Sequence, residues 1–347
     1  MAQSMFDLIT APEIGTYWET MTKDRPPYLG EVLFPAQKKL GLDLKWLKGS
    51  AGLPVVLKPS AFDAGVVPRA RMGFDSLQAQ MPFFKESTYI DEELRQQLNM
   101  VLETGNQAYI DAIINRIFND ETRLLEGARA RIEQMRMMAL TTGAISIVAN
   151  GQSYTYDYGM PSGHKVTVTT SWSDPTADIM TDISTWQDTI ENDTGVRPTR
   201  AVCDGTVWAN IKKNQNISKA VYVLGNGSVP LSDNRLASYL MEELGLEVTR
   251  YTKSYKGDDG NATRFMPEDT FVMMPSGNLG STWFGTTPEE SDLMSSNAAN
   301  VSIVDTGVAI TTTEKTDPVN VETKVSMIAL PSFEAADQVL IADTAAD

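Results

Sequence analysis

Between Leu42 and Phe84 the chain carries Gly49, Gly52, Pro54, Pro59, Gly65, Pro68, Gly73 and Pro82, and this punctuation excludes a sustained helix there. What remains is extended chain. "LDLKWL" alternates, "LPVVL" is β-branched, and "FDSLQAQMPFF" reads as a return strand, so the segment is predicted to be a long irregular hairpin. A two-stranded ribbon is at best marginally stable by itself. It needs another surface to lie on, and that need constrains this chain more than any other feature.

The hairpin is also basic, in an acidic protein. Residues 45 to 75 hold five basic side chains against two acidic ones. Residues 23 to 71 hold nine Lys and Arg (Lys23, Arg25, Lys38, Lys39, Lys45, Lys48, Lys58, Arg69 and Arg71) against four acids, a net of +5. The whole chain of 347 residues carries a formal charge of -16, unevenly spread. Residues 1 to 140 have 16 basic and 18 acidic side chains, a net of -2, and residues 141 to 347 have 13 and 27, a net of -14. This balance argues against tight electrostatic binding of DNA or anionic membrane, which needs Lys/Arg-rich faces. A hydrophobic fraction of 42% permits a real core, and the length suits two domains or one domain with large excursions. No run of about 18 apolar residues occurs, and "MAQSMFDLITAPEIG" lacks the basic and apolar regions of a secretion signal. The expectation is a protein without a membrane span, made in the cytoplasm.

Along the rest of the chain, the first forty residues mix aromatics and proline without a sustained 3.6-residue period, which predicts an arm with one short helix. "TYIDEEL" offers Thr88 as an N-cap with Asp91 three residues on. A helical segment "NQAYIDAIINRIF" follows, then a long amphipathic helix with Leu125, Ala128, Ile132, Met135 and Ala139 on one face, Arg129, Glu133 and Arg136 on the others, and an end near Gly143. "SYTYDYG" and "HKVTVTT" look like a hairpin. A second strong helix places Ile179, Ile183, Trp186 and Ile190 together and stops at Gly195. Strands "TRAVCD" and "LEVTRYT" bracket helices around "GTVWANIKKN" and "SDNRLASYLMEELG", and the tail gives two strand-like runs about Pro331. Strands at 153 to 170 and again at 319 to 343 suggest a base that the chain leaves, to build an inserted domain, and rejoins.

No catalytic motif survives inspection, and neither a catalytic, a cofactor-binding nor a metal-binding residue is predicted. "GNGSV" at Gly225 to Val229 lacks the third glycine of a dinucleotide loop and runs into Pro230. The one histidine, His164, is expected on an exposed hairpin, and the one cysteine, Cys203, as a packed thiol; together they make a zinc centre of His and Cys ligands implausible and exclude an intrachain disulfide. Asp258 and Asp259 read as turn residues. A hydrolase working through two carboxylates stays open, because such pairs are defined by separation in space.

The order of elements, together with "WSDPTADI", "MPEDTFVMMPSGNLG", "VSMIALPSFEAADQVLIAD" and the helix "EGARARIEQMRMMALTTG", resembles the major capsid proteins of tailed phages, specifically the lambda capsid protein E family, over roughly residues 65 to 345. The resemblance implies an α+β chain of the Hong Kong 97-type fold. Its parts would be an N-terminal arm at 1 to 41, an extended β-hairpin loop at 42 to 86, a peripheral domain with a long spine helix at 87 to 172 and 300 to 347, and an inserted axial domain at 173 to 299. It also implies a non-enzymatic, cofactor-free subunit of the virion shell, assembling into hexamers and pentamers of an icosahedral head around double-stranded DNA. Scaffold, portal and decoration proteins would be its partners, and the DNA would be held without sequence-specific binding. In such a shell the hairpin lies on a neighbouring copy, with Lys58, Arg69 and Arg71 pairing with acids there and Phe62 and Met72 packing. An encapsulin-like compartment shell and a tail or baseplate protein are the rivals among assembling proteins.

Overall fold

Thirteen consecutive residues near the C-terminus, Val319–Pro331, form the strand on which half of the molecule is built, and its sequence explains why. The first half alternates, with Val321, Thr323 and Val325 buried on one face and Glu322 and Lys324 part-exposed on the other. From Ser326 onward every residue is buried, the pattern of a strand covered on both faces.

The computed structural model describes residues 8–47, 76–90, 92–104, 106–149, 151–222, 231–257, 260–294, 299–317 and 319–346. In chain order the main elements are helices α1 (Ala11–Thr22) and α2 (Leu29–Leu33), and strands β1 (Ala36–Lys38), β2 (Asp43–Leu47), β3 (Ser76–Gln80) and β4 (Phe83–Tyr89). Helices α3 (Glu92–Thr104) and α4 (Gln107–Thr142) follow, then strands β5 (Ala144–Ala149), β6 (Gln152–Asp157) and β7 (Lys165–Thr167). Next are α5 (Ile179–Thr194), β8 (Arg200–Cys203), α6 (Gly205–Lys213), α7 (Gln215–Val221), α8 (Asp233–Leu244) and β9 (Glu247–Arg250). The remaining strands are β10 (Ser254–Lys256), β11 (Ala262–Arg264), β12 (Thr270–Met274), β13 (Thr282–Phe284), β14 (Asn300–Val304), β15 (Val308–Thr316), β16 (Val319–Pro331) and β17 (Leu340–Asp343).

The chain packs as two units. The first comprises residues 1–44, 78–136 and 281–332. Its sheet has the order β1-β13-β16-β15-β14, with β4 also paired to β16. On the β4 side, Thr88 stands opposite Thr323. Thr88 is therefore a strand residue and not an N-cap; the run "FFKESTY" has a long partner to pair with, which outweighs the local capping pattern. Helix α1 begins with a capping box, Thr10 and Glu13 bonding each other's backbone N–H groups, and carries Pro12 in its first turn. It buries Ile14 and Trp18, and the Trp18 indole donates to Asp305 Oδ2 at 3.0 Å. Helix α4 runs unbroken for 36 residues, fusing the two segments expected from the sequence, since neither Pro nor Gly interrupts residues 107 to 126. Leu125, Ile132, Met135 and Ala139 are buried as their spacing requires.

The second unit comprises residues 45–77, 137–280 and 333–347. Its five-stranded sheet has the order β7-β17-β12-β8-β9. The central β12 is antiparallel to both β17 and β8, and four of its five residues are buried. Trp172 and Trp186 stack with ring centroids 5.5 Å apart, Phe271 lies 5.3 Å from Trp172, and Ile179, Ile183, Ile190, Val207, Ile211, Leu236 and Leu240 complete one apolar core. Helix α5 stops at Gly195 as expected, at a φ of 76°, but begins only at Ile179, after the irregular stretch 173–178, with Asp178 accepting from the Thr181 N–H. The hairpin expected from "SYTYDYG" and "HKVTVTT" does not form. Strand β6 pairs instead with β5, and β7 pairs in parallel with β17. Gly151, at a φ of 73°, stands immediately before β6 in the conformation a tight β5–β6 connection requires, a signal stronger than the alternation that followed it.

Candidate assembly surface

The stretch that lacks a partner in the sequence has a firmly seated root. Strands β2 and β3 pair in a two-stranded sheet of their own, as the alternating and returning runs predicted. Just below, the Met81 N–H donates to the Leu42 carbonyl at 2.9 Å, and Leu44 and Met81 are buried. Gly285 makes this closeness possible. A Cβ on it would come within 2.8 Å of the Gly41 carbonyl oxygen and 2.7 Å of Ile328 Cγ2, so only glycine lets the root approach the sheet of the first unit. The five residues predicted to make contacts, Lys58, Phe62, Arg69, Arg71 and Met72, all fall between these strands and lie outside the described residues. The same holds for Gly225 to Val229, and for Asp258 and Asp259.

Around the root, the segment expected to be an arm with one short helix carries two helices, α1 and α2, and is fixed to helix α4. The Arg129 guanidinium donates to Glu31 Oε1 at 2.8 Å and lies 5.7 Å from the ring centroids of both Trp18 and Tyr28. One turn further on, Glu133 and Arg136, expected on the outer faces of the helix, are buried instead. The Gly30 N–H donates to Glu133 Oε1 at 3.0 Å, and Arg136 Nε donates to the Thr282 hydroxyl at 2.8 Å. A Cβ on Gly30 would sit 2.4 Å from Glu133 Oε2, so this glycine too marks a close approach. The sequence signal was there, a glycine flanked by the apolar run "YLGEVLF", but nothing in the helix periodicity points to it. Strand β1 then adds the edge of the sheet, with Lys38 Nζ bound to Glu290 Oε2 at 2.6 Å.

The groups with chemical potential are structurally engaged. His164 is fully buried, contrary to the exposed position expected, because the three-residue turn that carries it folds beneath α5, where its Nε2 lies 3.1 Å from Asp193 Oδ2. The Cys203 thiol is buried as expected, and burial pushes its pKa up, with the neighbouring Asp204 charge adding to the effect. Asp204 caps α6 by accepting from the Thr206 and Val207 N–H groups, and it pairs with Arg264 at 3.2 Å. Glu289 is held below the usual carboxylate range: burial raises it, but the Lys324 ammonium at 2.7 Å and the Ser326 hydroxyl more than compensate. Among the described residues no group of three or more His, Cys, Asp or Glu side chains could hold a metal ion, and no helix is long and apolar enough to cross a membrane. What the described surface offers instead is contact area: Leu40, Met100 and Tyr109 in the first unit and Val148 in the second are large apolar side chains standing in solvent.

The comparisons with known proteins give this arrangement its setting. No curated protein matches the chain. Among solved structures, a phage-related protein from Bordetella bronchiseptica RB50 superposes with a TM-score of 0.57 at 11% identity, covering 98% of each chain. A candidate capsid protein of a prophage of Escherichia coli CFT073 gives 0.54 at 16% identity, covering 78% of this chain and 80% of its own. A chain of the cyanophage A-1(L) capsid gives 0.53 at 10% identity, covering 92% of each. These likenesses establish the α+β, Hong Kong 97-type fold of phage capsid proteins. The sequence itself matches the phage major capsid protein E family over residues 10–344. With that match spanning nearly the whole chain, the protein belongs to the phage major capsid protein E family and is a structural protein of the capsid shell.

Proposed function

We propose that this chain is the major head subunit, which closes through hexamers and pentamers into an icosahedral shell around double-stranded DNA, with no catalytic step of its own. The observation that carries this reading is the family match over residues 10–344, joined to a hairpin whose root is seated and whose span lies in the most basic part of the chain. The peripheral domain is assigned to 87–172 and 300–347 and the axial domain to 173–299, between an arm at 1–41 and a loop at 42–86. The compact units share residues 87–136 and 300–332 with the first assignment and 173–280 with the second.

In this reading the loop meets a neighbouring copy whose body is acidic. Each exposed ion pair contributes only about 0–1 kcal/mol, while burial of Phe62, Val66, Val67, Met72 and Phe74 at about 25 cal/mol per Å² contributes more. Many weak contacts become effective together once the lattice closes. An overall charge of -16 suits a container whose DNA must slide in and out, so the genome is held without sequence-specific contacts. Scaffold and portal proteins, a decoration protein, and synthesis in the host cytoplasm complete the proposal. Its test is the double substitution Arg69→Glu/Arg71→Glu in the full chain. Assembly should fail while the circular dichroism of the subunit is unchanged; shells formed at the normal yield would remove the loop from the account.

A further inference from the structure

Glu121 lies on α4 in the first unit and is 2% exposed. It borders a cleft of about 400 Å³ lined by Thr88, Tyr89, Ile90, Leu94, Ile117, Asp120, Arg123 and Leu124. Its Oε2 is buried without a hydrogen-bond partner. The polar neighbour it does have is Thr323, fully buried on the face of β16 that also carries Val321 and Val325, directly across from Thr88 on β4.

Among the described residues, the surroundings supply no cation for this carboxyl. On α4, Arg123 is bound to Asp120 at 3.2 Å, and both are exposed. On β4 the titratable group at the cleft is Tyr89, whose hydroxyl accepts from Lys315 Nζ at 2.8 Å. On α3 the lining residue is the apolar Leu94, and Glu92 and Arg95 of that helix bind each other. On β16 the charged residues Glu322 and Lys324 alternate onto the opposite face, where they bind Lys315 and Glu289. A carboxylate in this place would be a buried charge without a counter-ion, which costs several kcal/mol. A neutral acid has no such cost.

We propose that Glu121 is a proton-operated fastener of the first unit: as a neutral acid it lets α4 close onto the face formed by β16 and β4, and losing its proton loosens that packing. Its titration fits the geometry. Burial pushes the carboxyl up to about 7, the Thr323 hydroxyl pulls the other way, and the charge of Asp120 adds to the rise. An unfolded chain gives up this proton near the ordinary value of 4.5, whereas the folded unit keeps it up to about 7. Stability from this group is therefore complete below about 4.5, falls as the pH rises through this window, and levels off above it. The shell would thus have a tighter and a looser subunit on either side of neutrality.

The test compares the full chain, unassembled, with its Glu121→Gln variant in urea unfolding from pH 5 to pH 8.5. The ratio of the two unfolding constants should change by about 100-fold across that range, with the wild type losing more stability than the variant as the pH rises. Parallel curves would overturn the proposal, because a merely structural Glu121 shifts both ends alike. Should the glutamine variant not fold, Glu121→Met takes its place. In the wild type itself, infrared spectra in D₂O should show a protonated carboxyl band at pH 6 that is gone by pH 8.5; its absence at pH 6 would contradict the assignment just as directly.

Discussion

The two units of this protein solve the same packing problem with different chemistry. In the second, a Trp172–Trp186–Phe271 cluster and a set of aliphatic side chains make one apolar core around β12, and buried polar groups such as Asp204 and Asn214 cap helices. In the first, the contacts of α4 include Glu121, Glu133 and Arg136, and the strands beneath carry Thr282, Thr311, Thr312 and Thr323, all buried. Apolar packing is sensitive to volume but makes few demands on direction. Buried polar networks are directional, and a missing partner is costly. The lesson is that the second unit holds its shape by volume, whereas the first holds it by specific bonds and so can be reset by changing one of them.

The comparison breaks first at Arg136. Substituting Arg136→Leu leaves Glu133 in the interior without its charged neighbour and should cost about 3–5 kcal/mol in urea unfolding of the unassembled subunit. Removing both, as Glu133→Leu/Arg136→Leu, should cost less than the single change, because no charge is then stranded. If the double variant is instead the sum of the two singles, the network is not coupled and the contrast between the units fails. In the second unit, Ile183→Ala should cost about 2–5 kcal/mol through the cavity it leaves, and by the same amount at pH 5.5 and pH 8. A strong pH dependence there would mean that titratable groups also govern the apolar core around β12.

How far the sequence could be read follows the same division. The apolar face and the stop of helix α5 are legible, since Ile179, Ile183, Trp186 and Ile190 follow one period and Gly195 supplies the left-handed end, while its start at Ile179 is not. The roots of the hairpin were legible because proline and glycine exclude helix between them. By contrast, Glu133 and Arg136 sit at positions that helix periodicity assigns to solvent, and the approach of Gly30 and Thr282, both distant in sequence, makes them interior. Thr88 went to a strand because its pairing partner, Thr323, lies more than two hundred residues away. The local sequence of His164, "PSGHK", resembles a surface turn, and Asp193 of α5 reaches it only in the fold. Local chemistry marks caps and turns well; it does not reveal which polar side chain another segment will cover.

The most direct measurement is electron microscopy of the purified full-length protein at neutral pH, with light scattering on the same sample. The account predicts closed, roughly spherical shells of megadalton mass, in which density for the segment between β2 and β3 runs over an adjacent copy. A monodisperse monomer that keeps that segment folded against its own two units would contradict it.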